Sequence, residues 1–300
     1  MGGDQTEFQA LYAVLSMFAF VLGCMVGSFL NVCVYRLPRG LSVVKPRSRC
    51  PKCESSIVWY DNIPVLSWLV LGAKCRNCKN PISWQYPLVE AITGLLFFLV
   101  FWKFEISIAT PIYMVLAAAL VLVTFVDLTD WTIPDSVSLP GIPIGIVVSL
   151  VAMFYPESRL VVIGPFDQAV FNSLLGVLVG GGSLYALDKI ALLLLKKPGM
   201  GFGDVKLNAM LGAFFGLGGV ILVIVLASFV GALIGIIQMV ASKPKPVSAE
   251  AGDGEGAESG EPGAHYLPFG PYLSLAAMLV MFFGAELVRM YFDFLRGPAY

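Results

Sequence analysis

Histidine is nearly absent from the chain. A single one, His265, occurs in 300 residues, which removes histidine-based catalysis and most catalytic metal centres from consideration. Charge is scarce as well. Asp, Glu, Lys and Arg make up 13% of the sequence, about half the share of a soluble domain. No Lys or Arg precedes Arg36; the first residues carry Asp4 and Glu7 instead. A secretory signal begins with a basic stretch, so the first apolar run is expected to persist as a helix. A glycine-rich loop of the dinucleotide type is also missing. The net charge of −1 gives no reason to expect a nucleic-acid partner.

What the chain has in excess is apolar surface: 58% of residues are hydrophobic and the mean hydropathy is +0.83. One core cannot hide that much, and membrane lipid is its natural solvent. Stretches suited to crossing the bilayer fall near 11–35, 87–102, 107–127, 136–155, 168–195, 205–217, 218–241 and 268–292. Between the sixth and seventh, the only turn signal is Gly216, Gly218 and Gly219. The expected fold is therefore an all-α polytopic membrane protein of about eight transmembrane helices. Of the nineteen Lys and Arg, nine lie in 36–85: Arg36, Arg39, Lys45, Arg47, Arg49, Lys52, Lys74, Arg76 and Lys79. Basic loops stay in the cytoplasm, which places this segment inside and the N-terminus outside. Lys196, Lys197, Lys243 and Lys245 then fall inside too, with Lys103, Arg159 and Arg296 outside and Arg289 near the outer end of the last span. Three parts follow: a first helix over 1–35, a cytoplasmic insertion over 36–86, and a membrane core over 87–300. The acidic, Gly-, Ala- and Ser-rich stretch at 242–266 reads as a flexible linker.

Six cysteines are present. Cys24 and Cys33 sit in the first span and read as packing residues. The others form Cys50-Pro51-Lys52-Cys53 and Cys75-Arg76-Asn77-Cys78. Two such knuckles can surround one tetrahedral Zn²⁺ with four thiolates. Two disulfides or a redox pair are the alternatives, and a reducing cytoplasm disfavours the disulfides. With four sulfur ligands no position stays open for water, so the zinc would be structural.

Ionisable groups at membrane depth are rare and usually functional. Asp127 ends the third span and Asp204, in a Gly-Phe-Gly-Asp turn, opens the sixth. On the expected topology both lie at the cytoplasmic edge. Two neighbouring carboxylates can share one proton, so one activates water while the other protonates a carbonyl oxygen. Gly199, Gly201 and Gly203 would let an extended substrate approach the backbone, and Pro134 and Pro198 interrupt helix beside each Asp. Asp130 and Asp135 are rivals for Asp127, and interfacial acids or a transporter's proton site remain open on these residues alone.

Taken in order, the motifs resemble the type IV prepilin peptidases. They are GSFLNVCVYRLPRG at 27–40, KPRSRCPKC at 45–53, WYDNIPVLSWL at 59–69, CRNCKNPISWQYPLVE at 75–90, VDLTDWTIPD at 126–135, GMGFGDVK at 199–206 and YLPFGPYL at 266–273. The resemblance implies a bacterial inner-membrane aspartyl endopeptidase with Asp127 and Asp204 as its catalytic pair. Its substrates would be type IV prepilins or type II secretion pseudopilins. Bifunctional members also methylate the new N-terminus with S-adenosylmethionine, and the cysteine motif belongs to that part of the family. A peptidase without methyl transfer, or a zinc-containing scaffold or transporter, is the alternative. The donor's site is not located by sequence. Among matching positions, Arg36 reads as an interface anchor, Ser28 and Asn31 as interhelical hydrogen-bond formers, and Glu90 as the partner of a base.

Overall fold

A computed structural model describes residues 3–196, 200–241 and 268–296. Pro198, Gly199, His265 and the 242–266 linker lie outside the described residues. The α-helices are α1 (Gly3–Arg36), α2 (Leu66–Val70), α3 (Gln85–Phe104), α4 (Ala109–Asp130), α5 (Asp135–Phe154), α6 (Ala169–Leu195), α7 (Phe202–Ala241) and α8 (Gly270–Arg296). All but α2 are long and apolar enough to cross a membrane, seven in total. The chain is a multi-pass membrane protein of the expected all-helical class.

The expected sixth and seventh spans are the two helical arms of α7, which meet at the non-helical Gly216 (φ 73°, ψ −176°). That one residue reverses the chain. Near the start of α7, Gly203 faces Ile133, which also faces Gly270 at the head of α8. Further on, Gly216 and Gly218 face Ile163 at the far end of the bundle. Gly231 then faces Tyr272 and Phe269, back at the first end. A Cβ placed on Gly180 would touch both the Asn208 carbonyl (2.7 Å) and Val220 Cγ2 (2.8 Å). Residues twelve apart on a straight helix would be about 18 Å apart. The chain thus makes eight passages, with the two arms of α7 side by side. The positive φ falls on Gly216 alone, while Gly218 and Gly219 serve close packing: a Cβ there would lie 2.8 Å from Ile163 Cγ2 and 2.5 Å from Phe215 Cβ. The turn's freed backbone groups are met by the loop before α6: Ile163 donates to Phe215 O and accepts from Gly218 N–H, both at 2.8 Å. Such internal satisfaction is obligatory where water is excluded.

Close approach between helices is set by small residues. On α6 and α7, Gly176 and Gly212 meet backbone to backbone, and a Cβ on either would overlap the other's carbonyl. On α1 and α3, Gly27 lies against the Glu90 backbone, and Gly23 against Thr93 and Gly94. Gly212→Val should therefore lower the thermal midpoint in detergent, by an overpacking cost of about 3 kcal/mol. An unchanged midpoint would mean the two helices can separate without cost.

α4 belongs to both apolar clusters. Leu120 and Val123 pack with Leu207, Leu211, Leu273 and Met281, whereas Val121, Leu122 and Val126 pack with Leu30, Val34 and Val89. Its last turn carries Asp127.

Between α1 and α3 the insertion folds back on the bundle. Arg36 donates to Ser42 O and Pro46 O, both at 2.8 Å, so it fastens the loop besides marking the span end. Asn31 Nδ2 donates to Tyr86 O at 3.0 Å, joining α1 to α3 as expected. Glu90 departs from expectation. Among the described residues it pairs with no base; it accepts the Val65 backbone N–H at 2.7 Å. Sequence spacing could not show a loop returning to α3 from 25 residues upstream. Cys24 and Cys33 are buried free thiols, consistent with packing.

Candidate active site

Asp127 and Asp204 come together at the insertion end of the bundle. Three residues separate the end of α4 at Asp130 from Pro134, which caps α5, and Ile133 in this link wedges between Gly203 and Gly270. A Cβ at Gly203 would approach Ile133 Cβ to 2.9 Å, and one at Gly270 would approach Asp127 Oδ2 to 2.6 Å. Glycine at both positions is what lets α7 and α8 close on the end of α4. The head of α8 then aims its Gly270 N–H at Asp127 Oδ2, 3.1 Å away. Free N–H groups and the positive end of the helix dipole favour an anion there. Asp204 sits in the first turn of α7, its N–H bonded to Gly201 O at 3.1 Å, and it lies within electrostatic reach of Asp127.

Both carboxylates are buried, Asp127 at 6% and Asp204 at 8% exposure. Among the described residues no donor reaches Asp204 Oδ1. A buried acceptor left in this state costs about 1–3 kcal/mol. The rival acids are accounted for otherwise. Asp130 pairs with Arg39 at 3.2 Å, and Asp135 accepts both carboxylate bonds from Lys206, at 2.7 and 2.8 Å. Gly270, Ile133 and Lys206 have no assigned role in the sequence reading. Gly270 falls within the YLPFGPYL match, which was the one available signal for it.

The four loop cysteines also converge. Their Sγ atoms all lie within 4.8 Å of one another, with Cys50 and Cys78 at 3.8 Å. Four sulfurs about 2.3 Å from a tetrahedral Zn²⁺ would be about 3.8 Å apart, so the donor set fits the ion. Two matching turns build it. Cys50 N–H donates to Ser55 O and Glu54 N–H to Cys50 O; Cys75 N–H donates to Asn80 O and Lys79 N–H to Cys75 O. Each turn passes through a positive φ, 55° at Glu54 and 59° at Lys79. Hydrogen bonds from Ser55 draw the Cys53 thiol down to about 6, and the Cys78 and Asn77 N–H groups lower Cys75, which favours the thiolate at these two positions, whereas Cys50 is raised. Arg76 grips Asp61 through two bonds of 2.7 and 2.6 Å and ties the second turn to the loop.

A cavity of about 270 Å³ lies between α1 and the insertion, lined in part by Ser28, Phe29, Arg36, Arg47 and Asn62. It presents two guanidinium groups and no carboxylate, which is a poor match to a sulfonium cation.

Comparison with known proteins decides the family. Residues 21–104 match the bacterial peptidase A24 N-terminal domain, and residues 114–236 match the type IV leader peptidase family. The chain belongs to the type IV leader peptidases. A prepilin leader peptidase/N-methyltransferase of Stutzerimonas stutzeri is 34% identical over 93% of this chain and 94% of its own length. The protein of that description from Myxococcus xanthus is 41% identical over 78% of this chain, but that match spans only 65% of the Myxococcus protein. Another from Neisseria gonorrhoeae is 37% identical over 76% of this chain and 85% of its own. No solved structure matches the chain. In this leader-peptidase chain the first domain holds α1, the insertion and α3, and the second holds both aspartates.

Proposed function

We propose that this chain is an aspartyl endopeptidase that removes the leader of type IV prepilins or type II secretion pseudopilins and then N-methylates the new terminus. The observation that carries the reading is the pair of buried carboxylates, Asp127 and Asp204, brought to one end of the bundle from helices 77 positions apart. One takes a proton from water as the hydroxide adds to the scissile carbonyl, and the other gives its proton to the carbonyl oxygen. The tetrahedral gem-diol then collapses: the peptide C–N bond breaks, the first acid gives its proton to the leaving amine, and the second regains a proton from a gem-diol hydroxyl as the new carbonyl forms. Gly270 N–H holds Asp127 throughout. The basic insertion supports a cytoplasmic location for this end and a bacterial inner-membrane setting. Zn²⁺ on Cys50, Cys53, Cys75 and Cys78 would brace the insertion. The methyl donor is S-adenosylmethionine.

Purified protein incubated with a prepilin should release the leader, and adding S-adenosylmethionine should methylate the mature product. Absence of leader release would overturn the peptidase reading and leave a membrane scaffold or transporter. Release without methylation would leave a peptidase alone. Gly270→Ala tests the geometry. Its methyl group lands on Asp127 Oδ2, so cleavage should fall by about 10²-fold with KM little changed, since misplacing a catalytic group by about 1 Å has that effect. Wild-type turnover in Gly270→Ala would show that the Gly270 contact is dispensable.

A further inference from the structure

The insertion contains a stretch unlike the rest of it. Residues 62–73, NIPVLSWLVLGA, carry no charge, although the surrounding segment is the most basic in the chain. Leu66, Leu69 and Val70 of α2 are 60%, 60% and 82% exposed. An apolar run this short cannot span a bilayer; at 10–14 residues it suits an interfacial or re-entrant position.

The depth of this run can be read from its contacts. α3 has 20 residues, Gln85–Phe104, which is about 30 Å of helix and just the hydrocarbon thickness. Glu90 lies five residues in from Gln85, about 7 Å below the boundary. Val65, the residue before α2, is bonded to the Glu90 carboxylate. Glu90 also meets Ser28 of α1, two turns before Arg36. At its other end the segment is tied to Ile82, just before α3 begins: Trp68 Nε1 donates to Ile82 O at 3.2 Å and Ile82 N–H to Ala73 O at 2.7 Å. α2 is thus held between the level of Ile82 and that of Glu90, at the insertion end of α3. Its backbone is prepared for such a place. The N–H groups of Ser67, Leu69, Leu71, Gly72, Ala73 and Lys74 all bond within the segment, to Ile63, Val65, Ser67, Leu69, Trp68 and Leu71 carbonyls. Ser67 Oγ is bonded too, to Ile63 O at 2.6 Å. Unmet backbone groups are what ordinarily bar loops from lipid.

We propose that α2 and its flanks are an interfacial wedge that inserts Leu66, Leu69 and Val70 into the bilayer, seating the cysteine module on the membrane. The lipid beside it is anionic. The exposed bases Lys45, Arg47, Arg49, Lys52 and Lys74 flank the wedge in sequence, and each such base near an anionic surface contributes about 1 kcal/mol.

The test places the photoreactive p-benzoylphenylalanine at Leu69 or Val70 of the full chain, in nanodiscs of phosphatidylethanolamine with phosphatidylglycerol as the minor lipid. Both side chains are exposed, so the substitution disturbs no packing. Val115, 70% exposed in mid-α4, is the lipid-facing control, and Lys79, exposed in the second cysteine turn, is the aqueous one. On irradiation, lipid adducts at 69 and 70 should come within about twofold of Val115 and exceed Lys79 at least about tenfold. They should also be enriched in phosphatidylglycerol over its bulk share. No lipid adduct at 69 and 70 while Val115 labels would overturn the wedge, as would crosslinks to a second copy of the chain. Adducts in the bulk lipid ratio would overturn the anionic preference.

Discussion

Asp127→Asn and Asp204→Asn should each reduce leader cleavage by at least about 10³-fold, within the range that general acid–base groups supply. Asparagine keeps the shape and the hydrogen-bond acceptor for Gly270 N–H, but it cannot take or give the shared proton. The thermal midpoint of both variants should stay within a few degrees of the parent. For Asp204→Asn, Oδ1 has no partner among the described residues to lose, and the amide oxygen can still accept the Gly201 backbone N–H. Asp130→Asn and Asp135→Asn break exposed pairs with Arg39 and Lys206, interactions worth about 0–1 kcal/mol, so their turnover should change by no more than about threefold. Initial rates on a purified prepilin separate the two classes. Normal rates in Asp204→Asn would end the two-carboxylate mechanism, whatever the state of the other variants.

Loss of the metal should divide the two activities. The parent should carry about one Zn²⁺ per chain, and Cys50→Ser/Cys75→Ser should carry nearly none, because two of four thiolates are gone. Metal binding in such knuckles is folding free energy, on the order of 10 kcal/mol, so the two turns should unfold locally. The bundle has independent supports. α1 and α3 meet through Gly23, Gly27 and Asn31, and none of these contacts uses a cysteine. Methyl transfer to an already cleaved pilin should therefore drop at least about tenfold, while cleavage stays within about threefold. Elemental analysis with parallel assays of the two reactions checks this. Equal loss of both, in stably inserted protein, would mean that the module acts as a lid over Asp127 and Asp204.

The parts that were legible in the sequence are those encoded locally or by composition. The cysteine knuckles repeat at short spacing, and four of their residues are enough to define a tetrahedral donor set. Asp127 and Asp204 stand out because acids at membrane depth are rare, and charge asymmetry assigns them a common side. What separated Asp127 from Asp130 and Asp135 was not legible, since it rests on Arg39 and Lys206, which arrive from other helices. Glu90 was misread for the same reason: its partner is a backbone N–H on a returning loop. Gly270 shows the limit most clearly. Its role depends on Ile133 and Asp127 crowding it from a distant part of the chain, and no local pattern records that.

The reversal at Gly216 also fixes parity. Eight passages put the start of α1 and the end of α8 on one side of the membrane, opposite the insertion. Lys103 and Glu286, paired at 2.5 Å, mark that far side on α3 and α8. Were the two arms of α7 to straighten into one, the count would become odd and α8 would have to run the other way. Gly270 would then emerge on the far face, a full bilayer from Asp127. The handedness of the whole second half, and with it the meeting of the head of α8 with the end of α4, hangs on a single residue that can hold a positive φ.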